Sequence, residues 1–211
     1  MNVVVIADIV GSRKLADRAH AQREIDQALA RVSSALPGAP SPLRPVVGDE
    51  LQGIYPGLST ALAATLLLRL TLPEGLDCRF GIGVGDIEEI PSSGGPLSEG
   101  PAWWAARAAI DQVEVLARRT MPDARTAVAA AEGSPAEVAE AVRLAAAAAF
   151  ARDGLIAQMG DRARRLAYGR CLGATQDELA AQEGITQSAV SQMLAASGAP
   201  ALVESYRVLT A

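Results

Sequence analysis

A glycine between two short amphipathic stretches constrains the C-terminal part of this chain more tightly than any other feature. The run ATQDELAAQEGITQSAVSQML, residues 174–194, has the pattern of two helices joined by a tight turn. Gly184 suits the positive φ that such a turn requires. Thr175 can cap the first helix through its hydroxyl, with Glu178 three residues on as the reciprocal capping-box partner. Leu179 and Ala180 face inward, and the small Ala180 lets the helices approach closely. Ile185 plugs the corner. Thr186 caps a second helix whose Val190 and Leu194 bury one face, leaving Gln187, Ser188, Ser191 and Gln192 on the other. This is the pattern of a helix-turn-helix, in which the second helix lies in the major groove of double-stranded DNA and Gln and Ser side chains can meet base edges. The candidate DNA-binding residues are therefore Thr175, Thr186, Gln187, Ser188, Ser191 and Gln192. The plain alternative is an ordinary pair of amphipathic helices.

The preceding segment, DRARRLAYGRCLG at 161–173, fits a basic support helix. Its Arg162, Arg164, Arg165 and Arg170 can meet phosphates or simply form a solvated face. Acids in the same segment offset them, which argues for modest affinity or for dimerisation to supply the rest. A net charge of −5 over 211 residues excludes a generic polyanion binder, so any DNA contact is local. Cys78 and Cys171 stand far apart, and His20 is the single histidine, which argues against a zinc site or a disulfide framework. The apolar stretch 59–72 is too short to span a bilayer and contains Arg69. With no basic leader before MNVVVIAD, a cytoplasmic protein without membrane contact is expected.

The N-terminal part alternates strands and helices. Val3 to Ile6 is a β-branched run suited to a strand buried on both faces. The chain turns at Gly11 and Ser12, and a helix follows over about 19–36. Val46 to Tyr55 reads as a hairpin with Gly48, Asp49 and Glu50 at its tip. A helix over 58–70, a glycine-rich strand over 79–85, a loop over 90–101, a helix over 103–116 and a strand over 126–129 complete the pattern. Such an order suits a ferredoxin-like α+β sandwich with its helices on one sheet face. Ser134 and Pro135 look like the cap and first turn of an alanine-rich helix reaching about residue 151.

Asp8 ends the first strand, and Asp49 and Glu50 sit at the hairpin tip, so three carboxylates can converge in this fold. Converging carboxylates repel unless a cation or proton intervenes, and a set of oxygen donors suits Mg²⁺ or Mn²⁺. The backbone of Ile9, Val10, Gly11 and Ser12 could hold phosphates of a nucleotide ligand, with Arg13 or Lys14 neutralising the remainder. Otherwise Asp8 and Asp49 are helix and turn caps. Gly81, Gly83 and Gly85 alternate along one strand and admit either a ligand ring or a close helix.

ADIVGSR, VGDELQG, RFGIGVGDI and EGPAWWAAR, in this order and at these separations, resemble the bacterial SatD family, whose members often end in a helix-turn-helix. The resemblance covers most of the chain and is strongest over about 2–112. The same block is more distantly similar to class III nucleotide cyclases and GGDEF-type diguanylate cyclases. There the first-strand Asp and the hairpin acid hold two metals over a nucleoside triphosphate. That similarity implies Asp8 and Asp49 as metal ligands, with Glu50 as a third. It also implies that Arg107 stands near the helix arginine that stabilises the transferring phosphate, making it the one catalytic candidate. A cyclase helix presents an asparagine one turn before that arginine, whereas this chain has Trp103 and Trp104, and its single lysine is Lys14. The departure points away from catalysis.

The sequence therefore leads to three segments: a cyclase-like α+β domain over 1–130, a helical connector over 131–160 and an all-α helix-turn-helix domain over 161–211. The expected function is a homodimeric DNA-binding transcriptional regulator with a ligand-sensing domain. A metal-dependent cyclase or phosphohydrolase is the first alternative, and a non-catalytic dimeric scaffold the second.

Overall fold

Alternate residues of the first strand enter two different cores, and the rest of the architecture follows from that. A computed structural model describes residues 2–93 and 97–211. In β1 (Asn2–Ile9), Val3, Val5, Ala7 and Ile9 join a buried cluster with the helices α1 (Arg18–Ala35) and α2 (Leu58–Thr71). Val4 and Ile6 point the other way, into a second cluster under α3 (Pro101–Arg119). The period-two alternation of a strand accounts for both and places Asp8 on the α3 face.

The remaining strands of the main sheet are β2 (Ser41–Val47), β3 (Glu50–Tyr55), β4 (Cys78–Gly85) and, later in the chain, β7 (Thr126–Ala130). Their order is β2-β3-β1-β4-β7, antiparallel throughout except for the parallel β4–β7 pair. The protein is thus a mixed α+β structure on a five-stranded sheet. Helices on one face alone were expected, but α3 lies opposite α1 and α2. A parallel pair needs a crossover, and α3 makes it. The glycine-rich strand makes room for it: an ideal Cβ at Gly81 would lie 2.1 Å from the Ala106 carbonyl oxygen, and one at Gly83 2.0 Å from that of Ala102. Of the two uses foreseen for these glycines, the structure adopts the close helix. At the edge of the span expected to be a loop, β5 (Glu88–Ile90) pairs with β6 (Leu97–Glu99), which lies within it, while positions 94–96 of that loop lie outside the described residues.

The C-terminal part is entirely helical among the described residues: α4 (Ala136–Ala157), α5 (Asp161–Cys171), α6 (Gln176–Glu183), α7 (Gln187–Ala196) and α8 (Ala199–Thr210). Helix α4 runs six residues beyond the expected end. Pro135, not Ser134, stands at its cap position, and the Ser134 hydroxyl donates to the Ala131 carbonyl instead. Helix α4 packs along β7, while α5 and α8 pack against α2. One buried cluster accordingly runs from the sheet through α2 into α5–α8. Both cysteines are buried and free. No helix among the described residues is long and apolar enough to cross a membrane.

A buried ionic network ties α4 to this frame. The fully buried Asp153 accepts from the backbone amides of Arg125 and Thr126 at 2.8 and 2.6 Å and from Arg69 Nη1 at 2.9 Å. Arg69 and Arg125 also clasp Asp77. Arg152 donates to the Leu62 carbonyl and to the hydroxyls of Thr65 and Thr126. Burial pulls its guanidinium down to about 10, with Asp153 opposing that shift and Arg69 adding to it.

Two expectations follow for stability. Asp153→Asn removes the anion between buried arginines and should lower the unfolding free energy by about 3–5 kcal/mol, measured by urea denaturation. Gly83→Ala drives a Cβ into the backbone of α3 and should cost more than about 2 kcal/mol. Gly154→Ala serves as its contrast: it lies in α4 with nothing within 4 Å of the added Cβ and should be neutral or stabilising, by up to about 1 kcal/mol.

Candidate functional site

The antiparallel registers place Glu50 and Arg79 directly across from Asp8 on neighbouring strands, so all three share the α3 face at one end of the sheet. Arg79 Nε donates to Asp8 Oδ1 at 2.9 Å, and its Nη1 lies 3.2 Å from Glu114 of α3. Arg107, exposed and two turns earlier on α3, reaches over to both oxygens of Glu50, at 2.9 and 2.8 Å. Gln52 donates to the same carboxylate at 2.7 Å. At the hairpin tip Asp49 accepts from the Ser12 hydroxyl at 2.5 Å. Burial raises the pKa of the Asp8 carboxyl, while Arg79 opposes the rise and Glu114 and Asp49 add to it.

The three carboxylates foreseen in the sequence do gather here, but arginines partner two of them. Among the described residues no group of three or more His, Cys, Asp or Glu side chains is arranged to hold a metal. The donors suit Mg²⁺ or Mn²⁺ by type but not by arrangement, because a cation at Asp8 and Glu50 would have to displace Arg79 and Arg107. Arg107, the catalytic candidate implied by the cyclase similarity, lies at the acidic cluster with Glu50 as its partner. Sequence reasoning missed Arg79 and Glu114, whose roles follow from strand register and the seating of α3.

The loop after β1 is partly committed. Ile9 is buried in the α1–α2 core, and the Val10 amide donates to the Asp77 carbonyl at 2.9 Å, so neither offers the phosphate contact expected of it. Gly11 adopts φ 69 before the 3₁₀ turn Ser12–Lys14, and Arg13 and Lys14 are exposed. Trp103 is half-buried against the α3-face core and donates its indole N–H to Ser98 at 2.9 Å. Trp104 is 63 % exposed.

In the C-terminal helices α6 and α7 follow the expected chemistry closely. Thr175 and Glu178 form both halves of the capping box, and the hydrogen bonds to Thr175 pull the Glu178 carboxyl below its ordinary value. Gly184 ends α6 with φ 65 and ψ 36, in the left-handed region. The Thr186 hydroxyl accepts from the Ala189 amide, and Val190 and Leu194 are buried. Gln187, Ser188, Ser191 and Gln192 are exposed, and Gln187 donates to Gln176 at 2.6 Å. An ideal Cβ at Gly169 would lie 2.5 Å from Leu179 Cδ2, which shows how closely α5 and α6 approach.

The support helix departs from expectation. Arg162 and Arg165 both clasp Glu183 and so tie α5 to α6, while Arg164 pairs with Asp161 within α5, so three of the four arginines that could meet phosphate are engaged in ion pairs instead. Arg170 donates to the Ala174 carbonyl. Helix α8 was not foreseen. The signals for it were Gly198, left-handed at φ 72, Pro200 in the first turn, and Leu202, Val203 and Tyr206 spaced for one buried face.

Solved structures similar in part of the backbone include a bacterial light-regulated adenylyl cyclase, at 16 % identity and a TM-score of 0.45, covering 60 % of this chain and 74 % of that one. A second structure of a bacterial light-regulated adenylyl cyclase gives 14 % and 0.43, covering 60 % of this chain and 42 % of that one. The adenylyl cyclase CyaB from P. aeruginosa gives 14 % and 0.39, covering 53 % and 71 %. No match was found among curated proteins. The model of the SatD family matches residues 2–204, nearly the whole chain, and the chain belongs to that family.

Proposed function

We propose that this protein is a DNA-binding transcriptional regulator, in which α6 and α7 form a helix-turn-helix and the sheet domain, cyclase-like in outline, takes a small-molecule effector. The observation that carries the reading is the solvent-facing polar stripe of α7. Gln187, Ser188, Ser191 and Gln192 are presented by a helix capped at Thr186 and turned through a left-handed Gly184. A helix exposing amides and hydroxyls at its N-terminal half matches the chemistry of major-groove readout, since both groups donate to and accept from base edges. A homodimer would present two such helices to half-sites one helical turn apart, about 34 Å.

Enrichment of a random duplex pool on the purified chain should yield a shared sequence. The double substitution Gln187→Ala, Ser191→Ala should lower affinity for it at least tenfold, about 1–3 kcal/mol per lost base contact, while the melting temperature stays unchanged. Full binding by the folded double variant would remove α7 from the reading role.

For the effector, the rim around Asp8, Asp49 and Glu50 is the proposed seat and a nucleotide the proposed class. Because arginines already neutralise Asp8 and Glu50, a thermal shift with nucleotides is expected without added metal and should be lost on Arg107→Ala. A shift that requires Mg²⁺ or Mn²⁺ and disappears in Asp8→Ala would instead put a cation among the carboxylates.

A further inference from the structure

We propose that the cleft between α7 and α8 is a phosphodiester seat, where Arg170 and Arg207 hold the DNA strand beside the groove that α7 reads. This rests on the DNA-binding reading above and adds to it the contact that fixes the duplex in register.

The cleft has a volume of about 290 Å³, and its polar lining is Arg170, Gln176, Ser191, Glu204 and Arg207. Its floor includes Leu194 and Val203, both buried core residues of the helical part. Ser191 belongs both to this cleft and to the exposed stripe of α7. Gln176, across the cleft, is hydrogen-bonded to Gln187 of the same stripe. A phosphate seated here is therefore adjacent to the base-reading side chains, as needed for phosphate contacts to fix register while base contacts specify sequence.

The arginines of residues 161–211 are not equally committed to ion pairs. Arg162 and Arg165 share Glu183, and Arg164 is paired with Asp161, so each of the three is held by a carboxylate, whereas no carboxylate among the described residues pairs with Arg170. Arg170 has one N–H on the Ala174 carbonyl, and Arg207 one on Glu204 at 2.6 Å. A guanidinium carries five N–H donors in a rigid fork, so both arginines retain donors for a phosphate's oxygens. Glu204 is the opposing charge: it holds Arg207 over the cleft in the free protein and repels an incoming anion. It therefore sets affinity from below.

The test uses the full chain and the duplex enriched from the random pool, with the dissociation constant followed by fluorescence anisotropy from 50 to 200 mM salt. Arg207 is 57 % exposed, so Arg207→Gln will fold and carries the test, with Arg170→Gln beside it. Each should flatten the slope of log affinity against log salt by about 0.9 and leave the preferred sequence unchanged. Glu204→Gln should tighten binding. Wild-type slopes in both folded arginine variants would overturn the seat while leaving α7 as the reading helix. Failure of the wild type to enrich any duplex would overturn the DNA-binding reading itself, and the seat with it. A thermal shift by inorganic phosphate alone, lost in Arg207→Gln without any change in DNA affinity, would assign the cleft to a free anion and overturn the phosphodiester assignment.

Discussion

The side chain of Asp153 holds the sheet and the helices after it in one body. It lies in α4, yet every side-chain hydrogen bond it accepts comes from elsewhere: the amides of Arg125 and Thr126 at the start of β7, the Thr126 hydroxyl and the guanidinium of Arg69 on α2. A buried carboxylate is tolerable only when its charge is met and its lone pairs are filled, and here both conditions need α2, β7 and α4 in their native places. Three arginines and two aspartates make up the network, an excess of one positive charge. Arg152, whose Nε finds no hydrogen-bond partner among the described residues, bears the strain of that excess. Helix α2 is the other half of the same constraint. It is buried continuously from Ala61 to Leu70, with the sheet on one side and α5 and α8 on the other. Helix α2 is thus a direct physical link between the sheet and the helices that carry α7.

The parts of this molecule that were legible in the sequence are those in which structure is decided locally. The capping box of Thr175 and Glu178, the left-handed Gly184 and the buried Val190 and Leu194 all involve residues within four positions of one another, where spacing alone fixes the geometry. Strands β1, β3, β4 and β7 were legible for the same reason, since the β-branched run of β1 announces burial on both faces, whereas most of β2 and the β5–β6 pair were not. What the sequence did not disclose was longer in range. Placement of α3 on the opposite face depends on the parallel β4–β7 pair and on two glycines whose missing side chains matter only once a helix is set against them. The buried network joins positions 69, 77, 125, 152 and 153, and nothing in a local window pairs them. Helix α8 was readable from Gly198, Pro200 and its apolar spacing, and was overlooked.

The acidic rim shows the limit most clearly. Asp8, Asp49 and Glu50 do approach one another, as their positions in the chain implied, yet convergence of like charges raises the question of which counter-charge answers it. In the sequence a divalent cation and an arginine are equivalent answers. Register decides between them: Arg79 is directly across from Asp8, and α3, seated on Gly81 and Gly83, delivers Arg107 to Glu50. Two fixed guanidiniums are costlier to displace than water. A rim organised in this way is a lattice of alternating charge, whose affinity for an anionic ligand depends on how readily the arginines leave their carboxylates.

The same economy governs the helical end. Residues 161–211 contain five arginines and five acids, so the segment as a whole offers DNA no field. What attraction it has must come from arrangement. Pairing Arg162 and Arg165 with Glu183 turns potential phosphate contacts into struts between α5 and α6, and the bonded arginines in turn hold the Glu183 carboxyl below its usual range. Charge spent on rigidity is withdrawn from binding. On the DNA-binding reading proposed above, helices braced in this way would hold the reading face in a fixed orientation at the expense of non-specific affinity, concentrate discrimination in the few polar side chains of α7 and make a second copy the natural source of the missing strength.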